Sequence, residues 1–434
     1  MKKGVLLFVL ALFGHAAFAQ KEDIIKKGIS FGPLPVVAFD QDKGFQYGAL
    51  LNLFDFGDGS HYPHPKQQWY IEASAYTKGT QQYFVTYDTK HLIPGIRMSL
   101  AATAVFDRAM DFYGFNGYQS IYHDYFLTPF YRLERLAVSA KADFVGNLWD
   151  KKLFWQAGYY FSKYQYSAID KDKINKGKKE EEQFWGQTLY EKYIDWGIIP
   201  QEERDGGLTS ALRLGIMYDT RDFEAAPSSG IWTEANMTIA PEFLGTTHGY
   251  YRYMATFRHY IPVVTEQLSF AYRLNYQGSI GDLPYYIMPV FSNIGKEFDR
   301  DGIGGYRTVR GILRGRVQGL DVGFFNAELR WKFARFHVGK QNIYLGINAF
   351  TDGAVVTKNY DLSYRRLLHS SLGPDMTDYN KHINTSKSDN LHTAAGAGFR
   401  FVMNQNFIIA VDYAKPFDKR DGKGSLYINT GYLF

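Results

Sequence analysis

The residues best suited to specific chemistry lie in a glycine- and arginine-rich stretch, residues 304–312, which reads GGYRTVRGI. Arginine stays charged at physiological pH, and its planar guanidinium donates hydrogen bonds in a fixed fork that matches a carboxylate. The glycines in this stretch allow its backbone to approach other chain segments closely. The stretch therefore predicts a loop anchored by ion pairs within a polar interior, with Arg310 as the candidate anchor.

Two runs of alternating residues flank this loop. Within residues 268–277, and again within residues 325–333, apolar and polar side chains occupy alternate positions. Successive side chains of a strand point to opposite faces, so each run predicts a two-faced β-strand. The same parity places Glu328 and Asp352 on the polar face, and we expect these carboxylates to pair with Arg310 and fix the loop.

Alternation is shared by soluble β-sandwiches and membrane barrels, and the composition favours the barrel. The chain holds 34 Tyr and 34 Phe, its aromatic content is 17%, and its mean hydropathy is only −0.31. Outer-membrane barrels place aromatic residues in girdles at both membrane interfaces and need only alternate residues of each strand to be apolar. Beyond the N-terminal segment no apolar run reaches about 18 residues, which argues against a helical membrane span.

The N-terminus resembles a secretory signal. Lys2 and Lys3 precede an apolar core, and residues 17–19 form a small-residue cleavage site, so residues 1–19 are the predicted signal peptide. The absence of cysteine in the 434 residues excludes disulfides, thiol catalysis and cysteine-based zinc sites. A net charge of +5 without a basic face argues against nucleic-acid binding.

The alternating segments predict an all-β fold, a sixteen-stranded antiparallel transmembrane β-barrel with a lumen-inserted loop between strands eleven and twelve. The predicted strands are 45–54, 68–76, 81–90, 97–106, 122–132, 134–146, 152–164, 208–218, 230–240, 250–261, 267–278, 322–334, 342–351, 393–402, 405–413 and 424–434. Residues 20–44 are then a short periplasmic N-terminal segment, and residues 45–434 form the outer-membrane barrel.

The predicted connections differ in length on the two sides of the barrel. Several after even-numbered strands are short, namely 77–80, 146–151, 262–266 and 403–404. Long ones follow odd-numbered strands, namely 165–207, 279–321 and 352–392. Outer-membrane barrels have short periplasmic turns and long extracellular loops. Two connections break the pattern, because 91–96 is short on the long side and 107–121 is long on the short side.

Several ordered motifs resemble the Bam/Tam family of outer-membrane protein insertases, the bacterial surface antigen family. Val309, Arg310, Gly311 and Ile312 resemble the family signature of the inserted loop. Further matches stand at Asp219, Arg221, Asp222, Gly396, Gly398, Arg400, Asp412 and Pro416. The terminal Phe434 resembles the aromatic residue by which such barrels are recognised for assembly. Residues 208–434 carry most of this resemblance.

The resemblance implies a member without periplasmic polypeptide-transport-associated domains that helps to insert or translocate outer-membrane or surface proteins, within an assembly complex. A weak seam between a first strand at 45–53 and a last strand at 426–434 would offer hydrogen bonds to an incoming strand. Gly48 and Gly431 would weaken that seam, although both glycines are equally explained by relief of crowding. The expected partners are outer-membrane lipid, lipopolysaccharide, client outer-membrane proteins and assembly lipoproteins.

Two other classes of function remain open. A passive channel or structural outer-membrane partner without insertase activity is the main alternative, and a lipid-modifying membrane enzyme is the third class. We find no sequence signature for a catalytic residue, a metal site or a cofactor, and we expect no enzymatic activity. The expected location is the bacterial outer membrane, with the N-terminus in the periplasm.

Overall fold

The computed structural model describes residues 25, 27–40, 43–61, 65–224, 226–291, 300–339, 341–365, 376–403 and 407–434. The predicted signal peptide lies outside these residues, as does Asn404 of the predicted 403–404 turn. The barrel strands are β1 Ile29–Asp40, β2 Gly44–Asp55, β3 Gln67–Tyr76, β4 Thr80–Ile93, β5 Ile96–Asp111, β6 Arg132–Asn147, β7 Leu153–Ser167, β8 Gly206–Asp219, β9 Gly230–Ala240, β10 Tyr250–Val264, β11 Leu268–Ile280, β12 Asp321–Val338, β13 Gln341–Lys358, β14 His392–Met403, β15 Phe407–Pro416 and β16 Ser425–Thr430.

Among the described residues, these sixteen antiparallel strands pair in sequence order, and β1 pairs with β16 to close the ring. The predicted sixteen-stranded barrel is therefore confirmed. The described helices are short: α1 Lys171–Asn175, α2 Leu189–Asp195 and α3 Met376–His382. None of the helices within the described ranges is long and apolar enough to cross a membrane. The 281–320 connection joins β11 to β12 and contains a small two-stranded ribbon, Val290–Phe291 with Arg300–Asp301.

The alternation of the sequence determines which face of the wall each side chain occupies. In β12, Leu329, Trp331 and Phe333 are exposed on the outer wall, whereas Asn326 and Glu328, which have the opposite parity, are fully buried on the inner side. An outer wall of apolar side chains suits contact with lipid, because hydrocarbon offers no hydrogen bonds to polar groups. The polar inner faces create the environment in which a charged loop can bind.

The strand prediction contains two errors, one strand missed and one wrongly predicted, and they cancel in the count. The first strand is β1, so the barrel begins at Ile29 rather than at residue 45, and the segment 20–44 is not a separate N-terminal unit. Its Pro33 and Pro35 are turn-forming residues that concealed the strand pattern. The predicted strand 122–132 instead contains the 3₁₀ turn Thr128–Tyr131 within a long connection.

Once β1 is counted, both exceptions in connection length disappear. The connections after β4, β6, β10 and β12 cover 94–95, 148–152, 265–267 and 339–340. Those after β5, β7, β11 and β13 cover 112–131, 168–205, 281–320 and 359–391. The tight turn 77–79 follows β3 and so lies on the long-loop rim, opposite to its predicted side. The four longest connections therefore share one rim, although the short turn 77–79 lies on that rim as well.

Long connections from four parts of the chain pack together over the long-loop rim, and we call this aromatic cluster the dome. Its buried rings include Phe112, Phe115, Phe130, Tyr190, Tyr193, Trp196, Tyr285 and Tyr379. Helix α2 begins at a capping box, in which Thr188 and Glu191 each bond the other's backbone N–H. This cap fixes the helix that carries Tyr190 and Tyr193 into the dome.

A histidine in the dome is held without charge. His382 ends α3 and lies against the rings of Phe126, Phe130 and Trp196. Burial lowers the pKa of His382 to about 4, although Asp378 acts in the opposite direction. The neutral imidazole can therefore pack as an aromatic ring at physiological pH.

Candidate functional site

Residues 303–317 of the β11–β12 connection pack against the inner faces of β12, β13 and β14. Val309 and Ile312 are fully buried there, in a cluster that includes Phe324 of β12, Val356 of β13 and Ala394 of β14. Burial of apolar side chains holds the loop against the wall, but the hydrophobic effect is non-directional and does not by itself fix the loop in one position. The directional hydrogen bonds come from Arg310, which lies between Val309 and Ile312 in the sequence.

Arg310 is enclosed by carboxylates and is 0% exposed. Its Nε and Nη2 donate to the two oxygens of Asp352 at 2.8 and 3.0 Å, and its backbone N–H donates to Asp352 Oδ2 at 3.0 Å. Its Nη1 lies 2.6 Å from Glu328 Oε1 and 3.6 Å from Asp412 Oδ2. The guanidinium also lies over the ring of Phe350, 3.4 Å from its centroid. The structure therefore brings the predicted anchor and both predicted carboxylates together.

Two further arginines balance the surplus negative charge. Arg330 donates from Nε to Glu328 Oε2 at 2.7 Å, and Arg400 forms a bidentate pair with Asp412 at 2.8 and 2.9 Å. We call these three arginines and three carboxylates the lumen charge cluster: Arg310, Arg330, Arg400, Glu328, Asp352 and Asp412. Their formal charges sum to zero, which is the condition under which buried ions are tolerated.

Gly311 permits the contact between the loop and the wall. Its φ is +86°, and a Cβ at this position would lie 2.9 Å from the backbone carbon of Ala414. Its N–H donates to the hydroxyl of Tyr427 at 3.1 Å, and Tyr427 belongs to β16. The ring of Tyr306 also packs against that of Tyr427, with centroids 5.8 Å apart. The loop is thus connected directly to the last strand.

A second anchor lies nearer the dome. Arg314 donates to Asp107 and Asp111 at the end of β5, both at 3.1 Å, and Arg316 donates to the carbonyls of Gly117 and Ser120. Sequence reasoning missed these partners and the part played by Asp412 in the cluster. Asp107 is one of the inward-facing residues of β5, so only the alternation of side chains along that strand could have indicated it as a partner of the loop.

The remaining motif residues have separate roles. Gly396 and Gly398 leave room for the cluster, since a Cβ on Gly398 would lie 1.8 Å from Asp412 Oδ1. Asp219 pairs with Arg221 at 2.7 Å, and Asp222 accepts the N–H of Ser228, in the β8–β9 turn on the opposite rim. Pro416 ends β15, opposite Ala394. Gly396 and Gly398 therefore belong to the loop site, whereas the residues of the β8–β9 turn shape a connection on the opposite rim.

The seam that closes the barrel is short. β1 and β16 share two register positions, Phe39 with Ile428 and Asp40 with Tyr427, whereas β1 pairs with β2 along its whole length. Gly431, at φ +89°, turns the chain inward directly after β16.

Gly48 was wrongly placed at this seam. It lies in β2, opposite Val36 of β1 and Ser74 of β3, because the barrel has a strand before the predicted first one.

The C-terminal tail, residues 431–434, continues into the lumen. Phe434 is buried beside Tyr260, and its carbonyl accepts a hydrogen bond from Arg330 Nη2 at 3.0 Å. The guanidinium groups of Arg273 and Arg330 lie 5.2 and 4.8 Å from the ring of Phe434. Arg330 therefore belongs to the lumen charge cluster and also contacts the tail, so it links the inserted loop to the seam.

The fold and this site define a class of protein, a closed sixteen-stranded β-barrel with an ion-paired loop in its lumen and a short strand seam. The Omp85 superfamily domain matches residues 70–434. The chain belongs to the Omp85 superfamily, whose barrels are bacterial outer-membrane proteins, and this agrees with the predicted Bam/Tam resemblance.

Solved structures with a similar fold include BamA from Haemophilus ducreyi lacking POTRA domains 1–3, with a TM-score of 0.56 and 14% identity. That alignment covers 94% of this chain and 71% of the BamA chain. CdiB from Escherichia coli aligns with a TM-score of 0.54 and 10% identity, over 94% of this chain and 64% of its own. At these identities the likeness concerns the fold alone. A search of curated proteins found no match.

Proposed function

We propose that this barrel assists the insertion or translocation of outer-membrane or surface proteins, and that the β1–β16 seam is where it acts. The observation that carries the proposal is the edge of β1 from Ile29 to Ala38, which has no register partner in β16. Unpaired backbone groups are costly in hydrocarbon, and an exposed strand edge accepts an added strand readily. An incoming strand that pairs with β1 would satisfy backbone groups that no described strand pairs along this edge.

The lumen charge cluster would support this role by holding the inserted loop behind the seam. Through Gly311 and Tyr427, the loop contacts the strand that borders the opening. Client outer-membrane proteins and assembly lipoproteins are the proposed partners, with membrane lipid and lipopolysaccharide as the surroundings. A pull-down from native membranes would identify them, and recovery of neither kind of protein would count against a role in assembly.

The proposed function can be tested by locking the seam. Continued pairing would set Val37 opposite Thr430, two positions beyond the observed pair Phe39 and Ile428, and the chain has no native cysteine. In liposomes, the barrel with Val37→Cys and Thr430→Cys should promote insertion of a denatured client barrel when reduced and lose this activity when oxidised. The control pair Val138→Cys and Lys163→Cys, in paired strands of the wall, should be insensitive to oxidation.

The alternative functions give different results in the same liposomes. A passive channel would conduct ions or solutes without promoting insertion, and a lipid-modifying enzyme would release lipid products. Activity of the oxidised seam variant equal to that of the reduced one would contradict action at the seam.

We also place the long-loop rim at the cell surface and the N-terminus in the periplasm, since outer-membrane barrels carry their long loops outside. A tag inserted near Lys178, in the charged 168–205 connection, should bind antibody on intact cells. Labelling that requires permeabilised cells would reverse this orientation.

A further inference from the structure

The exposed edge of β1 contains two prolines, Pro33 and Pro35, and the hydrogen-bond pattern shows which way their backbones point. The N–H of Phe56 donates to the carbonyl of Gly28, so even-numbered residues of β1 bond to β2. Consistently, Phe45 bonds away from β1, because its carbonyl accepts the N–H of Thr77 next to β3. In an antiparallel strand the bonding direction alternates from residue to residue. The odd-numbered residues of β1, including both prolines, therefore direct their backbone groups toward β16.

The register of the seam determines what these prolines would face. Phe39 pairs with Ile428, so continued pairing would set Pro35 opposite Tyr432 and Pro33 opposite Phe434. Proline has no N–H, so the carbonyls of Tyr432 and Phe434 would find no donor on β1.

Both tail residues make contacts in the lumen, Tyr432 through its side chain and Phe434 through its carbonyl. The Tyr432 hydroxyl lies 3.2 Å from that of Tyr344, and the Phe434 carbonyl accepts a hydrogen bond from Arg330. Strand β16 thus ends at Thr430, just before the first residues that would face a proline, although its observed pairing with β1 already stops at Ile428, and the tail makes its contacts in the lumen instead.

We propose that Pro33 and Pro35 prevent the C-terminal tail from closing the seam and so keep the β1 edge available to an extended segment of a client protein. The inference rests on the proposed function for the identity of that occupant, but the action of the prolines on the tail does not. Ile29 and Phe31 retain both backbone groups on the exposed edge, as does Val37 next to the closed part of the seam, whereas the prolines offer carbonyls alone. The client segment therefore joins β1 first at the Ile29–Phe31 end, on the short-turn rim.

Cysteine cross-linking tests the action of the prolines directly. Leu34→Cys and Leu433→Cys would face each other in a closed seam, in a pair without mutual backbone hydrogen bonds, where side chains approach most closely. In the purified full-length barrel this pair should cross-link poorly. Adding Pro33→Ala and Pro35→Ala restores two donors, and the cross-linked fraction should rise by about tenfold, the effect of one to two net hydrogen bonds.

Two controls frame this experiment. The pair Phe39→Cys and Ile428→Cys, at the observed seam contact, should cross-link in both backgrounds and report that the barrel is folded. Pro262→Ala, in β10 away from the seam, should leave the Leu34–Leu433 pair unreactive. The single variant Pro35→Ala provides a milder form of the test and should give an intermediate increase.

The outcomes separate this inference from the proposed function. Unchanged Leu34–Leu433 cross-linking in the folded alanine variants would overturn the role of the prolines, whatever the activity of the parent. A parent barrel that inserts no client would refute the proposed function, while a cross-linking increase would still support the prolines as the block to closure. Increased cross-linking together with reduced client insertion would support both.

Discussion

Replacing Arg310 with alanine should destabilise the inserted loop by about 3–5 kcal/mol, the usual cost of removing one partner from a buried ion pair. Glu328 and Asp352 would remain at 0% exposure without the cation that lies between them. Solvent screening would reduce this cost for an exposed pair, but none of these three side chains reaches solvent. The strands should remain paired, because their hydrogen bonds do not involve the loop.

The measurement is protease sensitivity of the 300–320 segment in the purified barrel, together with heat-dependent mobility as a report on the wall. Arg307→Ala is the matched control, since Arg307 lies in the same loop with an exposed side chain. Arg310→Lys should be nearly as damaging as alanine, because a lysine ammonium cannot reproduce the fork on Asp352. An Arg310→Ala barrel whose loop is as protected as that of the parent would contradict this role.

The sequence was sufficient to predict the anchor and two of its partners, because strand parity is a local property. Glu328 and Asp352 follow from counting along one strand each. The pairing of Asp412 with Arg400, and its approach to Arg310, depend on how strands β13 to β15 lie beside one another. Contacts between residues on adjacent strands can be predicted only once the order and the register of the strands in the barrel are known.

The prediction of the strands failed where local preference and tertiary structure disagree. Proline is disfavoured within a sheet, yet Pro33 and Pro35 lie in a strand whose free edge requires no donor from them. Residues 122–132 resemble a strand because they are rich in aromatic side chains, but Tyr122, Phe126 and Phe130 pack in the dome. Both errors identify regions where the barrel departs from a simple wall, namely the seam and the dome.

The dome gives the second large expected effect, because Tyr193 is fully buried at its centre. Its ring meets those of Phe112 and Phe115 edge-on, at centroid distances of 5.2 and 5.5 Å, and its hydroxyl lies 2.7 Å from Ser120 Oγ. Tyr193→Ala should therefore destabilise the dome by about 3–5 kcal/mol, as expected for loss of a large aromatic residue from a core.

Loosening the dome should open the lumen toward the long-loop rim while the lumen charge cluster keeps the inserted loop in place. Hydrogen exchange should rise in residues 112–131 and 189–195 but remain slow around Arg310, and conductance in planar bilayers should increase over the parent. Tyr125→Ala is the control, because that side chain is 64% exposed and its loss should change neither quantity. Faster exchange around Arg310 in the Tyr193 variant would mean that the dome, and not the ion pairs alone, holds the loop. An unchanged dome would refute the central role of Tyr193.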